Sequence, residues 1–337
     1  MKTIQAGDIV APGGRINIAS IHSKAEINTN AAFENNNEKT IQPGKMGDIH
    51  ISGKSLIDVS GSETGSIYIR GGNLEIHDSK INSQTMNDHY SGSIKISVEN
   101  ILFSEGASIN VNTFGKGNSG NLYMNALNSI IFEGDNNEAQ SSGINMNSFG
   151  LGNGGTIFIE AENLFIRKGG TVINGSFAYG NSGNIHIYAT ESIRIEGIGD
   201  FFNGSVISTV SYLYGNSGKI SLEAPNISLK NGGVISSTTV GSGRAGDINI
   251  RTPGTLSLTG VGISGSASYI MAMSFPIIQE LVCGDAGTIE IDAGNLILLD
   301  GAAISTDSIN RDIYQSGMSG DINILVDNET KISGINP

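Results

Sequence analysis

The residues best suited to chemistry in this sequence occupy one recurring position, where aromatic and basic side chains follow one another at repeat spacing. They are Tyr68, Lys95, Tyr123, Phe158 and His186. Aromatic rings on a flat face form a platform on which sugars dock, so the stripe is a candidate ligand contact. The simpler interpretation, which we favour, is that neighbouring aromatic residues stabilise the strands that carry them, by about 0.2–1 kcal/mol per pair.

Catalysis by a polysaccharide lyase or glycosidase needs a pair of carboxylates about 5–10 Å apart. The outward acids are dispersed along the chain as Asp48, Asp247, Glu290 and Asp321. Asp292 lies two residues from Glu290, a spacing typical of two solvated side chains on one strand. We therefore predict no catalytic residues and no enzyme activity.

Metal and thiol chemistry have little support in this sequence. The histidines do not show the spacing of a metal site; they are His22, His50, His77, His89 and His186. The polar loop from Asp135 to Glu138 could attract Ca²⁺ through its oxygen atoms, but its spacing matches no known calcium loop. Cys283 lies in an apolar run and is best interpreted as a buried filler. We expect no metal and no cofactor.

The elements that must position these side chains are short strands between glycine turns, as residues 179–197 illustrate. Ile185 and Ile187 are two residues apart, and so are Ile193 and Ile195. Residues two apart lie on the same face of a strand, so each strand has one apolar face. Strands this short do not form a stable sheet alone, which predicts that many copies stack.

The copies recur after a glycine that precedes each first strand, mostly about 28 to 35 residues apart, a period typical of solenoids. These anchors are Gly14, Gly47, Gly65, Gly92, Gly120, Gly155, Gly183, Gly218, Gly246, Gly287 and Gly320. Apolar residues, most of them isoleucine, follow at two and four positions after every anchor. A second pair of aliphatic positions follows, and a weaker third column includes Ile109, Ile144, Val206, Val234 and Ile304.

Three short strands per period predict an all-β fold, a right-handed parallel β-helix of roughly eleven to twelve coils. The turns before the anchors are rich in Gly and Asn, which tolerate the positive φ of tight corners. Asn118, Asn153, Asn181 and Asn216 share one offset, so we expect their amides to form a hydrogen-bonded ladder.

The composition and net charge of the chain limit which classes of binding partner and which cellular locations are expected. The 337 residues include 47 Gly, 6 Pro and 6% aromatic residues, with a net charge of −13. The acidic balance argues against nucleic acid and anionic lipid as partners. The sequence contains no apolar run of membrane-spanning length and no signal peptide at its start. One cysteine excludes an internal disulfide framework.

Residues 5–20 read QAGDIVAPGGRINIAS, and the later coils repeat a Gly-Asn-Ser-Gly-Asn-Ile pattern. The first segment resembles the region just after the secretion domain of filamentous-haemagglutinin-like exoproteins. The coils resemble large cyanobacterial exoproteins of the S-layer-family or haemagglutination-activity-domain type. The resemblance implies export through an outer-membrane two-partner-secretion transporter, a secreted or cell-surface location, and adhesion to host or matrix glycans or surface proteins.

The family's secretion domain, with its Asn-Pro-Asn-Gly hallmark, is missing here, and the sequence stops in mid-coil, so we expect a fragment of a longer exoprotein. We divide residues 1–337, a single β-helix, into a first coil with a polar loop (1–46), regular coils (47–258), an irregular inserted loop (259–286) and terminal coils (287–337). The inserted loop carries Tyr269, Met271, Met273 and Phe275. It is either a partner-binding protrusion or, as we favour, a flap packed on the coils.

The function predicted from these observations is that of a non-catalytic, adhesin-like structural rod. The alternative is a carbohydrate-binding or carbohydrate-active β-helix, such as a polysaccharide lyase or glycosidase, that uses one outer face.

Overall fold

The computed structural model describes residues 3–5, 7–22, 46–63, 65–89, 91–136, 138–200, 204–260, 267–275, 283–309 and 317–334. These residues form strands and turns, and none of them is helical. Accordingly, the described part of the chain contains no helix that could cross a membrane.

The strands, in chain order, are β1 (Thr3–Gln5), β2 (Ile9–Val10), β3 (Arg15–Ala19), β4 (Ile49–Ser52), β5 (Leu56–Asp58), β6 (Ser66–Arg70), β7 (Asn73–His77), β8 (Lys80–Asn82), β9 (Ile94–Ser104), β10 (Ser108–Asn110), β11 (Leu122–Glu133), β12 (Gly143–Ser148), β13 (Ile157–Arg167), β14 (Thr171–Ser176), β15 (Ile185–Glu196), β16 (Val206–Ser211), β17 (Ile220–Glu223), β18 (Asn226–Lys230), β19 (Val234–Thr239), β20 (Ile248–Thr259), β21 (Tyr269–Ser274), β22 (Ile289–Leu299), β23 (Ala303–Ser305) and β24 (Ile322–Ser333).

These strands form the predicted parallel β-helix. One sheet has 14 strands and the other has 10, and strands from successive coils pair in parallel. The main path of the larger sheet passes through eleven of its strands. The larger sheet supplies two faces of each coil, which we call the first and second faces, and the smaller sheet supplies the third.

The first and second faces are more continuous than three separate strands per coil. In β13 the first-face and second-face halves form one strand, and the pairing register with β15 shifts between Ala161 and Asn163. The halves separate into β17 and β18 around Pro225, whereas β20 stays continuous through Pro253 at the equivalent position of the next coil.

The assignment of Gly47 as a coil anchor is wrong. Strand β4, which follows Gly47, pairs with β7 on the second face, so that Ile49 lies beside Leu74. The first-face strand of that coil is β3, which pairs with β6. Second-face strands share the alternating aliphatic pattern of first-face strands, so Gly47 resembled an anchor without being one.

The interior consists of the predicted aliphatic columns. Ile157, Ile185 and Ile220 are fully buried and paired on successive coils. Each fully buried isoleucine stabilises the fold by about 1.5–3 kcal/mol. On the third face, the prediction for Val206 and Val234 is wrong by one residue: Ile207 and Ile235 point inward. A one-residue shift exchanges the two faces of a strand.

Third-face polar residues complete the core by bonding to the backbone. Thr209 Oγ1 donates to the carbonyl of Gly218 at 2.7 Å, and Ser237 Oγ donates to the same carbonyl at 3.0 Å. Asn174 Nδ2 donates to the Gly155 carbonyl at 2.8 Å. These buried polar groups are therefore satisfied, as burial requires.

Most of the predicted anchors need glycine because the coils approach closely, and not because of φ. A Cβ added to Gly183 would lie 1.6 Å from the Gly155 carbonyl oxygen, and one added to Gly120 would lie 1.7 Å from that of Gly92. Positive φ occurs instead at the corner between the second and third faces, for example at Lys168 (52°) and Gly169 (86°).

The prediction of an irregular loop across residues 259–286 is wrong for its central part. Tyr269–Ser274 is the third-face strand β21, in parallel register with β19 and β23. Ile270 and Ala272 are buried, while Met271 and Met273 are half-buried on the outside. Small inward residues obscured the alternation. Residues 261–266 and 276–282 lie outside the described residues.

Candidate functional site: the groove on the first face

The predicted aromatic stripe lies on the outside of the first face, and the structure brings its members together. Pairing places Tyr68 beside Lys95 and Lys95 beside Tyr123. The column continues through Tyr123, Phe158 and His186 on successive coils. Its later members are Ser221, Asn249, Glu290 and Asn323.

The rings of this column stack on one another. The centroids of Tyr123 and Phe158 are 5.0 Å apart with an interplanar angle of 2°, and those of Phe158 and His186 are 5.3 Å apart at 15°. Lys95 Nζ lies 5.4 Å from the Tyr123 centroid. The rings therefore turn their faces toward each other and their edges toward solvent. This geometry supports the interpretation that the stripe stabilises neighbouring coils, because a docking sugar needs an open ring face.

A second outward column on the same face was not predicted from the sequence. It lies two residues further along each strand, at anchor plus five. Its members are Arg70, Ser97, Asn125, Glu160, Tyr188, Glu223, Arg251, Asp292 and Leu325. The same anchor glycines, read at this offset, would have identified it.

The two columns line a shallow groove that we call the first-face groove. It has a volume of about 1250 Å³ and extends from Tyr68 to Leu325. Each coil supplies a pair of outward side chains, so the groove is built from the repeat itself. A groove of this form suits an extended ligand better than a compact one.

Tyr188 is the aromatic residue of the groove with the most open setting. Its side chain is 44% exposed, and its partners in the register are Glu160 and Glu223. Glu160 Oε2 accepts a hydrogen bond from Asn125 Nδ2 at 3.0 Å, and Glu223 lies 4.0 Å from Arg251. A ring between two carboxylates combines an apolar surface with hydrogen-bond acceptors for hydroxyl groups.

Two bases of the groove have perturbed affinities for protons. Burial lowers the pKa of His186, and the positive charge of Lys219 lowers it further. Burial also lowers the pKa of Arg70. Loss of hydration penalises the charged form of a base in each case. His186 therefore favours the neutral state in which it stacks on Phe158.

Acids outside the groove have structural partners. Asp48 Oδ1 accepts hydrogen bonds from the backbone N–H of Asn73 at 3.0 Å and from its side chain at 2.9 Å. Asp247 Oδ1 accepts from the backbone N–H of Thr288 at 3.0 Å. Glu290 and Asp292 belong to the two groove columns. The acids thus divide between turn supports and groove lining.

The remaining predicted residues lie away from the groove. Tyr269, Met271 and Met273 are on the third face, and Phe275 follows them at the next turn. Cys283 is buried, with Sγ 3.3 Å from the hydroxyl groups of Ser274 and Ser308.

His50 and His77 both lie close to one carboxylate, that of Glu75. His50 Nδ1 lies 2.8 Å from Glu75 Oε2, and His77 Nε2 lies 3.9 Å from the same oxygen. Among the residues that the structure describes, no three His, Cys, Asp or Glu side chains are placed to hold a metal ion.

Comparison with known proteins gives no relative for this chain. No protein-family model matches the sequence, and searches of curated proteins and of solved structures likewise find no significant match.

Proposed function

We propose that this chain is a non-catalytic adhesive rod of a secreted or cell-surface exoprotein. The parallel β-helix supports this proposal, because its core is a narrow aliphatic stack and its outer surface is free to vary. The resemblance of residues 5–20 to filamentous-haemagglutinin-like exoproteins gives independent support. Export by an outer-membrane two-partner-secretion transporter belongs to the same proposal.

The observation that carries the proposal is the first-face groove. It extends over the outward columns of the first face, from Tyr68 to Leu325, and is open to solvent. Successive coils present polar and aromatic side chains at the spacing of the strands, about 4.8 Å. A ligand that contacts many coils at once must be long, so we propose that the groove binds an extended polymer such as a glycan.

Tyr188 is the residue through which we propose that a sugar ring is recognised. Tyr188 pairs in register with Glu160 and Glu223 on the two neighbouring coils. An aromatic face packs against the apolar face of a sugar, and carboxylates accept hydrogen bonds from its hydroxyl groups. Tyr123 and Phe158 stack on each other and support the groove wall.

The alternative is a carbohydrate-active enzyme that uses the same groove. The observation in its favour is that Glu160, Glu223, Glu290 and Asp292 all line the groove. Glu160 and Glu223 have partners in Asn125 and Arg251, which fits a binding role. Hydrolysis or elimination products would distinguish the enzyme from the binder.

The test is calorimetric titration with pectin, alginate and glycosaminoglycan oligosaccharides, together with an assay for released reducing or unsaturated ends. We expect one class to bind without product release, Tyr188→Ala to abolish binding, and Tyr188→Phe to retain most of it. Tyr214→Ala, an exposed tyrosine outside the groove, is the matched control and should bind normally. Absence of binding by the wild type contradicts the glycan proposal, and product release favours the enzyme.

A further inference from the structure

A second set of stacked rings lies outside the groove, in the turns that follow the third-face strands. Phe114 and Phe149 have centroids 5.1 Å apart, and Phe149 and Phe177 have centroids 4.9 Å apart. Phe177 and Tyr212 follow at 4.5 Å, with Tyr179 and Tyr214 beside them at 4.9 Å. We call the exposed set the aromatic turn surface; it comprises Phe114, Phe149, Leu151, Phe177, Tyr179, Tyr212 and Tyr214.

Buried hydroxyl groups hold these turns in one conformation. Thr113 Oγ1 donates to the carbonyl of Gly117 at 2.6 Å. The buried side chains of Ser148, Ser176 and Ser211 make the same bond to Gly152, Gly180 and Gly215. The aromatic turn surface is therefore fixed before any partner arrives, which lowers the entropy lost on binding.

Asn118, Asn153, Asn181 and Asn216 share one repeat offset, and we call them the asparagine column. Their side chains link each turn to the next by hydrogen bonds. Asn153 Oδ1 accepts from the backbone N–H of Asn181 at 2.9 Å, and Asn181 Oδ1 accepts from that of Asn216 at 2.8 Å. The predicted amide-to-amide ladder is thus replaced by side chain-to-backbone bonds. Each turn is anchored to the next, so the rings keep their spacing along the rod.

The charge distribution of the aromatic turn surface permits association of like copies. The whole chain has a net charge of −13, yet residues 149–154, 177–182 and 212–217 contain no charged side chain. Lys116 lies at one end and is paired with Asp88 at 3.7 Å. Two acidic rods repel each other over most of their surfaces, and this surface avoids that repulsion.

The size of the surface also fits a specific interface. Aromatic side chains bury about 150–250 Å² each, so six that are 37–61% exposed leave an apolar area on the order of 500 Å². A stable interface buries about 800 Å² per partner, and its centre is mainly apolar. A patch of this extent is comparable to the largest apolar patch on a typical monomer, and such patches often have a function.

The spacing of the rings along the rod indicates which kind of partner fits the aromatic turn surface. The rings recur every 4.5–5.1 Å along the rod, and a partner that contacts several of them at once must share that repeat. Another β-helix has this spacing by construction. We propose that the aromatic turn surface is the side-to-side interface between two copies of this chain, with the same surface used on both copies.

The test is sedimentation velocity over a wide dilution series. We expect the wild type to form a reversible dimer and Phe177→Lys, at the centre of the surface, to weaken dimerisation about thirtyfold or more. The matched control is Phe158→Lys, because Phe158 and Phe177 are both 37% exposed and both stacked, but Phe158 lies in the groove. The control should dimerise as the wild type does.

Circular dichroism verifies folding, and Tyr179→Lys, at the outermost ring (61% exposed), tests the same surface if Phe177→Lys does not fold. A monomeric wild type at the highest concentration overturns the proposal, as does equal dimerisation of the turn-surface variants and the control. Flotation of a monomeric wild type with phosphatidylcholine–phosphatidylglycerol vesicles, abolished by Tyr179→Lys, would assign the surface to lipid instead.

Discussion

Gly183 lies directly on Gly155 of the preceding coil, so closely that a Cβ on Gly183 would come 1.6 Å from the Gly155 carbonyl oxygen. The obstructing atom belongs to the backbone, which cannot rotate away as a side chain can. We therefore predict that Gly183→Ala destabilises the rod by about 3 kcal/mol, at the upper end of overpacking effects. Urea unfolding measures this change.

The matched control for this prediction is Gly204→Ala. A Cβ at Gly204 would meet its nearest atom, the Gly232 carbonyl oxygen, at 3.7 Å, an ordinary contact. The control should unfold within about 1 kcal/mol of the wild type. Equal effects of the two substitutions would show that the anchors do not approach as described.

The aliphatic columns predict that substitutions at two adjacent residues have very different effects on the stability of the fold. Ile193 is fully buried in the second-face column, whereas Arg194 points outward, with Cζ 5.5 Å from the Phe165 ring centroid. Ile193→Ala should cost about 2–5 kcal/mol, since it leaves a cavity in a thin core. Arg194→Ala should cost about 1 kcal/mol or less. Thermal unfolding of both variants measures the contrast, and the reverse order would place Ile193 outside the core.

His186 predicts a specific pH dependence. Burial and then Lys219 lower its pKa in the folded chain, so the unfolded chain binds the proton more readily. The contribution of His186 to stability is complete above its ordinary pKa, about 6.5, and is lost as the pH falls through the lowered value. His186→Phe keeps a ring next to Phe158 and removes the titration.

The urea midpoint of the wild type should therefore fall more steeply than that of His186→Phe as the pH decreases from about 7. The two proteins should differ least in slope above neutrality. Parallel curves throughout the acid range would mean that His186 is not desolvated in the folded chain.

The asparagine column predicts that removing one side-chain acceptor lowers stability and that a carboxylate at the same position retains most of it. Asn181→Ala removes the acceptor of the Asn216 backbone N–H and should cost about 1 kcal/mol. Asn181→Asp keeps an acceptor oxygen at the same position and should retain most of the stability. Chemical unfolding at neutral pH compares the two, and an Asp variant as unstable as the Ala variant would contradict the role of Oδ1.

Much of the fold was predictable because one constraint repeats in every coil. Ile157, Ile185 and Ile220 recur two residues after a glycine, and stacking the strands that carry them buries all three. Gly47 misled because its following strand, β4, has the same alternation but lies on the second face. Alternation identifies the inward side of a strand but does not identify which face of the coil the strand forms.

The candidate site was less predictable, since it depends on side chains that the core does not constrain. The stripe from Tyr68 to His186 was identified by its offset, but only the structure reveals that Tyr123 and Phe158 turn their faces to each other. At the repeat position of Tyr188 the neighbouring coils carry Glu160 and Glu223, so no run of aromatic residues marked this column in the sequence. In β21, Ala272 faces inward where larger residues usually signal a strand.

The register of the stacked coils is tested most directly by cross-linking, in a background in which Cys283→Ala removes the native thiol. Ser221 pairs with Asn249 on the next coil, so their Cα atoms lie about 4.8 Å apart, within the range of a disulfide. Ser221→Cys with Asn249→Cys should oxidise almost completely. Ser221→Cys with Arg251→Cys is two residues out of register, about 8 Å away by strand geometry, and should stay reduced. Cross-linking of the second pair, or of neither, would contradict the parallel in-register helix.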